Sequence, residues 1–523
     1  MSRPIAVRIA AIAGAALVVA AATALVFLIR AGDTGISNWP VTFELRSSDN
    51  GVLFQFAQDV FRGRALDWSF SPQVFVFPEI PISLLGYAIA GGSVQVYYLV
   101  VAVINNALLF LALFAVVGAL YPGDELRRRI ARAGIATFPL LLLPLIGTTW
   151  LLSYQLAPTY YFGMYLMIVA APMLYLSCHR STKIVVAAGI ALTAAANPLA
   201  LVFTVPALVC VLLVRGAAGG FRSVLRPAAW AGAIVVVAAI IRVALFSRLQ
   251  GGSPFAYVDL GIFGGRLAVI DAYVRSLLSN PTQATILVLG TALAVAGLVL
   301  AVVVAIRLIR HRIDFEPRSF VAMYFALVPL TGLAGTLVLI ITDYLYLWPV
   351  VILPLVFVLL PLPRVVVPWV LGATSIALVV VAVATGGVPN LARSAGFFTY
   401  RSAETKCLDA KLPAGDTIGY STFSDARRIE LTSRRGIRLI QLKSSGVRAY
   451  WLTNRDYARD SVGRFFYINE HGDEPAISTS YLETRFGMPD AQFTCAPGQT
   501  VLLYNDAAKL ALIKARYSTL PAP

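Results

Sequence analysis

Apolar runs long enough to cross a lipid bilayer recur about eleven times along this 523-residue chain, and no other feature restricts its fold as strongly. A helix crossing the hydrocarbon core needs about 20 apolar residues. Backbone polar groups in lipid must bond within the segment, so such runs are expected as helices. They fall near 7–29, 96–120, 133–152, 161–178, 184–197, 199–214, 227–247, 281–306, 319–342, 344–363 and 365–386. The first is flanked by Arg3 and Arg8; it is too long for a cleaved signal peptide and reads as an anchor. The stretch 184–214 is interrupted at Asn197-Pro198, which fits two short spans or one kinked helix. Composition agrees: 59% of residues are hydrophobic and 13% charged. A soluble domain runs at about 45–50% and about 25%. A soluble enzyme, a disordered chain and a nucleic-acid binder are excluded.

The charge pattern orients the spans. Net charge is +16, and short loops rich in Lys and Arg stay in the cytoplasm. With the N-terminus inside, the inside loops carry Arg127, Arg128, Arg129 and Arg132, then Arg180 and Lys183, then Arg215, Arg222 and Arg226. Arg307, Arg310, Arg312, Arg318 and Arg364 follow. Together with Arg3 and Arg8 these are 16 of the 24 basic residues before position 387, so span count and orientation support each other. Six acids crowd instead into one outside loop, 30–95: Asp33, Glu44, Asp49, Asp59, Asp67 and Glu79. Carboxylates gathered in one aqueous loop between spans suggest a site.

Residues 387–523 differ in composition, with 18 basic and 13 acidic residues and no spanning run. After eleven spans this tail lies outside. Strand-like runs at 417–421, 437–442, 465–469 and 501–504 alternate with helical ones near 424–435, 478–486 and 506–517, the pattern of a small α/β domain. The expected fold is thus an α-helical polytopic membrane domain over 1–386 and an extracytoplasmic α/β domain over 387–523. An oxidising outside compartment permits a Cys407–Cys495 disulfide, with two free buried thiols as the alternative.

Several chemistries lack their residues. There is no GxxxxGK[ST] loop to cradle nucleotide phosphates and no Cys-x-x-Cys motif. His179 and His311 lie in inside loops and His471 in the tail, so no histidine metal cluster is expected. Charges within spans are scarce, Arg242 being the main exception, whereas ion-coupled transporters usually bury more of them.

The outside loop carries the most specific pattern. Leu53, Phe56, Ala57, Val60 and Phe61 form one apolar stripe at helical spacing, opposite Gly51, Gln55, Gln58, Asp59 and Arg62. An amphipathic helix on the outer membrane surface is expected, ended by Gly63. Asp49 stands just before it. It suits a helix N-cap, as does Ser48, and it equally suits a base that takes a proton from an incoming hydroxyl. Asp59 and Asp67 read as solvated or helix-face charges.

This loop resembles the first extracytoplasmic loop of the GT-C superfamily, membrane glycosyltransferases that use polyprenyl-phosphate sugars. The matching residues are Asp49-Asn50, the helix with Ala57, Gly63, and Phe77-Pro78-Glu79-Ile80-Pro81. A second match is Asp343-Tyr344-Leu345-Tyr346-Leu347-Trp348-Pro349, similar to the family's Arg/His-Tyr-Leu-x-Pro pattern at the outer start of a late span. Asn50 replaces the usual second acid and Asp343 the usual base, which leaves a divalent metal unsupported, one acid being a poor site for it. No cofactor is expected with certainty.

The resemblance implies an inverting transfer on the outer face of the membrane, and the basic, Ala-rich composition suits a bacterial cytoplasmic membrane. The donor would be a polyprenyl-phosphate sugar with its chain in the bilayer, and the acceptor a cell-envelope glycan, lipid or protein. Asp49 would be the catalytic base. Asn50, Glu79, Asp343 and Tyr344 would bind acceptor or sugar. Arg242 and Arg275, among the outer arginines that include Arg248 and Arg266, would hold the donor phosphate; snorkelling to headgroups is their alternative. The rival readings are an envelope polysaccharide polymerase or ligase and a lipid or solute transporter.

Overall fold

The structure is a computed structural model and describes residues 5–33, 51–70, 74–146, 156, 161–177, 179–246, 263–311, 316–338, 348–449, 452–455, 462–472 and 474–517. In chain order the helices are α1 (Ile5–Ala31), α2 (Gly51–Phe61), α3 (Glu79–Ala90), α4 (Val94–Leu120), α5 (Leu126–Ile146), α6 (Phe162–Ala170) and α7 (Arg180–Ala196). Next come α8 (Leu199–Gly219), α9 (Arg222–Ile241), α10 (Phe263–Leu278), α11 (Pro281–His311), α12 (Pro317–Val338), α13 (Trp348–Phe357) and α14 (Val367–Ala384). Among the described residues, eight of these are long and apolar enough to cross a membrane: α1, α4, α5, α8, α9, α11, α12 and α14. The chain is a predominantly helical, polytopic membrane protein. Val236 and Ile240 on α9, Val299 and Leu300 on α11, and Val379 and Val380 on α14 are exposed, which suits side chains meeting lipid.

Three expected spans fall on shorter helices. The run 161–178 is divided at Pro172 into α6 and a one-turn helix, Met173–Leu176. The run 184–197 is the 17-residue α7, and 344–363 contains the 10-residue α13. The Asn197-Pro198 ambiguity resolves into two helices. Asn197 is extended, as a residue before proline prefers. Its side-chain oxygen accepts the Leu199 N–H at 3.2 Å, capping α8. The Phe77-Pro78-Glu79-Ile80-Pro81 segment opens helix α3; its prolines, Pro78 and Pro81, sit at the N-cap and in the first turn, where proline is tolerated.

Contacts between helix ends fall into two sets. One joins the α4–α5 turn to the segment after α13: buried Asp124 pairs with Arg132 at 3.0 Å and with Arg364 at 2.7 Å. The other includes Val74 N–H to Ala196 O at 2.9 Å, Arg242 to Ala195 O at 2.9 Å, and Gln95 to Tyr400 O at 3.1 Å.

The tail adds α15 (Ala403–Lys411), α16 (Phe423–Thr432), α17 (Thr479–Phe486) and α18 (Ala507–Tyr517). Its strands are β2 (Ile418–Ser421), β3 (Arg438–Gln441), β5 (Phe465–Asn469), β6 (Ala491–Ala496) and β7 (Gln499–Leu503). They make one mixed sheet in the order β3-β2-β5-β7-β6, parallel for β3-β2-β5 and antiparallel beyond. Central β5 is buried at all five positions because both of its faces are covered. A disulfide joins Cys407 on α15 to Cys495 on β6, with Cα atoms 5.7 Å apart. A separate two-stranded ribbon pairs β1 (Trp68–Ser69) of the first loop with β4 (Thr453–Asn454) of the tail, antiparallel.

Candidate functional site

Helix α2 sits between the membrane bundle and the tail. Its apolar side packs down onto α3 and α4. The Leu53 carbonyl accepts the Ser83 hydroxyl at 2.7 Å, and Ser83 lies 2.8 Å from the Tyr97 hydroxyl. Phe54 packs edge-on against Tyr97, and Phe61 stacks on Tyr87. Gly63, at φ +64°, ends the helix in the left-handed region that glycine adopts freely.

Most of the polar side of α2 does not face water, which corrects the surface-helix expectation; only Arg62 of that side is exposed. The tail covers the rest. Gln55 donates to Glu430 at 2.7 Å, Arg438 donates to Gln58 at 2.8 Å, and Asn454 donates to Asp59 at 3.0 Å. Asp59, expected as a solvated charge, has no exposed surface; Arg64 stands 3.6 Å from it. Asp67, also expected in solvent, pairs with Arg455, whose Nε donates to it at 3.0 Å. The Arg455 N–H also reaches the Asp67 carbonyl at 2.7 Å, extending the β1–β4 ribbon. Polar side chains at helical spacing thus mark an internal interface, where Gln55, Gln58 and Asp59 each meet a side chain of the tail.

At the start of α2, a Cβ on Gly51 would lie 2.5 Å from the end of the Leu431 side chain of α16, which would have to shift to admit it. Glu474 accepts the Phe423 N–H at 3.0 Å at the start of α16. Burial pushes the Glu474 carboxyl above its ordinary pKa, and the Phe423 N–H bond pulls it down.

Glu79 belongs to the lower side of this junction. It is buried, and its Oε1 accepts the Gly163 N–H at 2.8 Å. A Cβ on Gly163 would lie 2.2 Å from Pro78 Cδ and 2.8 Å from Glu79 Oε1. Glu79 therefore ties the loop to α6.

The other expected site residues divide clearly. Asp49, Asn50, Asp343 and Tyr344 lie outside the described residues; Asp49-Asn50 immediately precede α2 in the chain. Arg242 opens a π-helical turn, Arg242–Phe246, is buried, and donates to Ala195 O at the end of α7. Arg275 is largely exposed and pairs with Asp271 at 2.8 Å. The partners found for Glu79, Arg242 and Arg275 lie on three separate helices: α6, α7 and α10. Among the described residues, no group of three or more His, Cys, Asp or Glu side chains could hold a metal ion.

Sequence reasoning missed Trp68, Glu430, Arg438 and Asn454 as members of this junction. Their partners lie hundreds of positions away in the chain, so no local spacing reveals them. No protein-family model matches the chain, and no curated protein matches it.

Proposed function

We propose that the chain is an inverting glycosyltransferase that moves a sugar from a polyprenyl-phosphate donor to a cell-envelope glycan, lipid or protein on the outer face of a bacterial cytoplasmic membrane. The observation that carries this reading is the junction itself. The helix that Asp49 leads into is clamped between a membrane bundle and a water-soluble fold. A lipid-borne donor and an aqueous acceptor meet at that level. The topology of the reading has eleven spans, a cytoplasmic N-terminus and an extracytoplasmic tail. The two sets of helix-end contacts support it, because expected inside loops touch inside loops and outside segments touch outside segments.

In the reaction, Asp49 accepts the proton of the acceptor hydroxyl as its oxygen attacks the anomeric carbon. The bond from that carbon to the phosphate oxygen breaks, and polyprenyl phosphate leaves with the electron pair. Inversion follows from a single displacement. Of the two arginines, Arg242 is the one proposed to meet the phosphate charge; its burial supports this, because fixed cations act most strongly away from water. Asn50, Asp343 and Tyr344 are proposed to orient sugar or acceptor, and Glu79 to hold the loop that presents Asn50.

The test is transfer of radiolabelled sugar in membranes holding the full chain, from a panel of polyprenyl-phosphate sugars and from the matching nucleotide sugars. Label is expected to move from a lipid-linked donor and not from nucleotide sugars in washed membranes. Transfer from nucleotide sugars alone would contradict the reading.

A further inference from the structure

The end of the bundle that holds Asp124, Arg132 and Arg364 also holds a cavity of about 370 Å³ between α11, α12 and α13. That size falls in the ~300–1,000 Å³ range of ligand sites. Small residues leave the space open: Gly297 of α11 and Ala322 and Ala326 of α12 line it. Leu300 of α11 and Val358, just after α13, line it as well and are exposed. Its mouth therefore opens on the apolar flank of the bundle, which suits lipid. Hydrocarbon is the filling these walls match. One charged side chain lines the cavity, Arg318 in the first turn of α12. Its guanidinium lies 5.0 Å from the centre of the Tyr121 ring, just past the end of α4, and Arg132 lies 4.1 Å from the same ring. Arg132 and Arg364 are both matched by Asp124. Arg318 is exposed and, among the described residues, forms no ion pair. Arg307 and Arg310 near the end of α11 carry the same sign. An apolar chamber with a fixed cation at its loop end matches a molecule with a hydrocarbon chain and an acidic head.

We propose that this cavity binds an anionic phospholipid from the leaflet at this end, with one acyl chain between α11, α12 and α13 and the headgroup phosphate on Arg318. The guanidinium fork suits a phosphate. Basic pockets between membrane helices near the headgroup level hold acidic lipids in the same way. The bound lipid fills the gap and braces α12 against the end of α4, beside the Asp124 clamp. Nothing in this site rests on the glycosyltransferase reading. Helix α4 separates the two: Tyr97 packs against α2 near its start, and Tyr121 borders the cavity past its end. Either can fail without the other.

The test is native mass spectrometry of the full chain in detergent, titrated with dioleoyl phosphatidylglycerol or dioleoyl phosphatidylcholine. The two lipids share their acyl chains and differ in headgroup charge. One phosphatidylglycerol is expected to bind about 5-fold more tightly than phosphatidylcholine, the effect of one arginine near an acidic headgroup. Arg318→Gln is expected to remove that preference. Arg307→Gln is expected to keep it, which separates a site from the general field of the basic loops. Ala322→Phe places a ring in the cavity and is expected to weaken both lipids while the melting temperature holds. Equal binding of the two lipids by wild type, a preference that survives Arg318→Gln, or full binding by folded Ala322→Phe would overturn the proposal. Tighter binding of a polyprenyl phosphate than of phosphatidylglycerol, lost in Ala322→Phe, would give the cavity to a different lipid and overturn the phospholipid assignment.

Discussion

Gly163 concentrates the residue-scale argument. A methyl group there must displace Pro78 or the carboxylate of Glu79. Gly163→Ala is expected to lower stability by about 1–3 kcal/mol, the usual range for overpacking. Gly372 on α14 is the contrast, since a Cβ there meets nothing within 4 Å. Gly372→Ala should be neutral or raise stability by up to about 1 kcal/mol. Thermal unfolding in detergent separates the two; equal melting temperatures would refute the Glu79–Gly163 anchor. Asp490 gives a pH prediction. Its side-chain bond to Lys509, then the Asp506 and Asn505 N–H groups, lowers its pKa from 3.8 to about 2. A depressed carboxyl pKa stabilises the fold above the unfolded value and loses that contribution as pH falls through the folded one. The tail's melting temperature should therefore decline between about pH 4 and pH 2, and Lys509→Met should flatten that decline. Legibility at this scale follows chemistry. Gly63 was readable as a helix stop because glycine has few other reasons to stand there. Asp59 was not readable as buried, because its partner Asn454 is supplied by a distant strand.

At the scale of elements, periodicity carried most of the information. The apolar stripe of α2 is visible because burial repeats with the helical period, and the runs that became β2, β3, β5 and β7 because strands covered on both faces read as short continuous apolar runs. Edge strand β6 was not, since three of its six positions are exposed and its apolar pattern is diluted. The polar side of α2 was legible as a polar side and misassigned to water, because hydropathy cannot tell water from a polar partner. The disulfide between α15 and β6 links elements 88 residues apart. Replacing both Cys407 and Cys495 by Ala is expected to destabilise the tail by about 2–5 kcal/mol. Tail proteolysis in urea would read this, and unchanged resistance would show that packing alone holds α15 to the sheet.

The whole molecule is held by polar clamps at both ends of the bundle. Asp124 binds Arg132, which is 1% exposed, so Asp124→Ala would strand a buried guanidinium. Removing one partner of such a pair costs about 3–5 kcal/mol. Asp124→Ala should express poorly and melt early in detergent; wild-type melting would mean that the Leu360 and Leu362 carbonyls suffice for Arg132. At the opposite end, the tail closes over α2 and completes the junction on which the proposed chemistry depends. The sequence conveyed that the chain is a membrane protein with a charged first loop. It could not convey that the loop and the tail, some 350 residues apart, build one interface. That central claim is tested most directly by Asp49→Asn in the full chain, which preserves shape and capping and removes the base. If sugar transfer from the lipid-linked donor drops by about 10²–10⁴-fold while melting stays unchanged, the account stands. Full activity in a folded Asp49→Asn protein would contradict it.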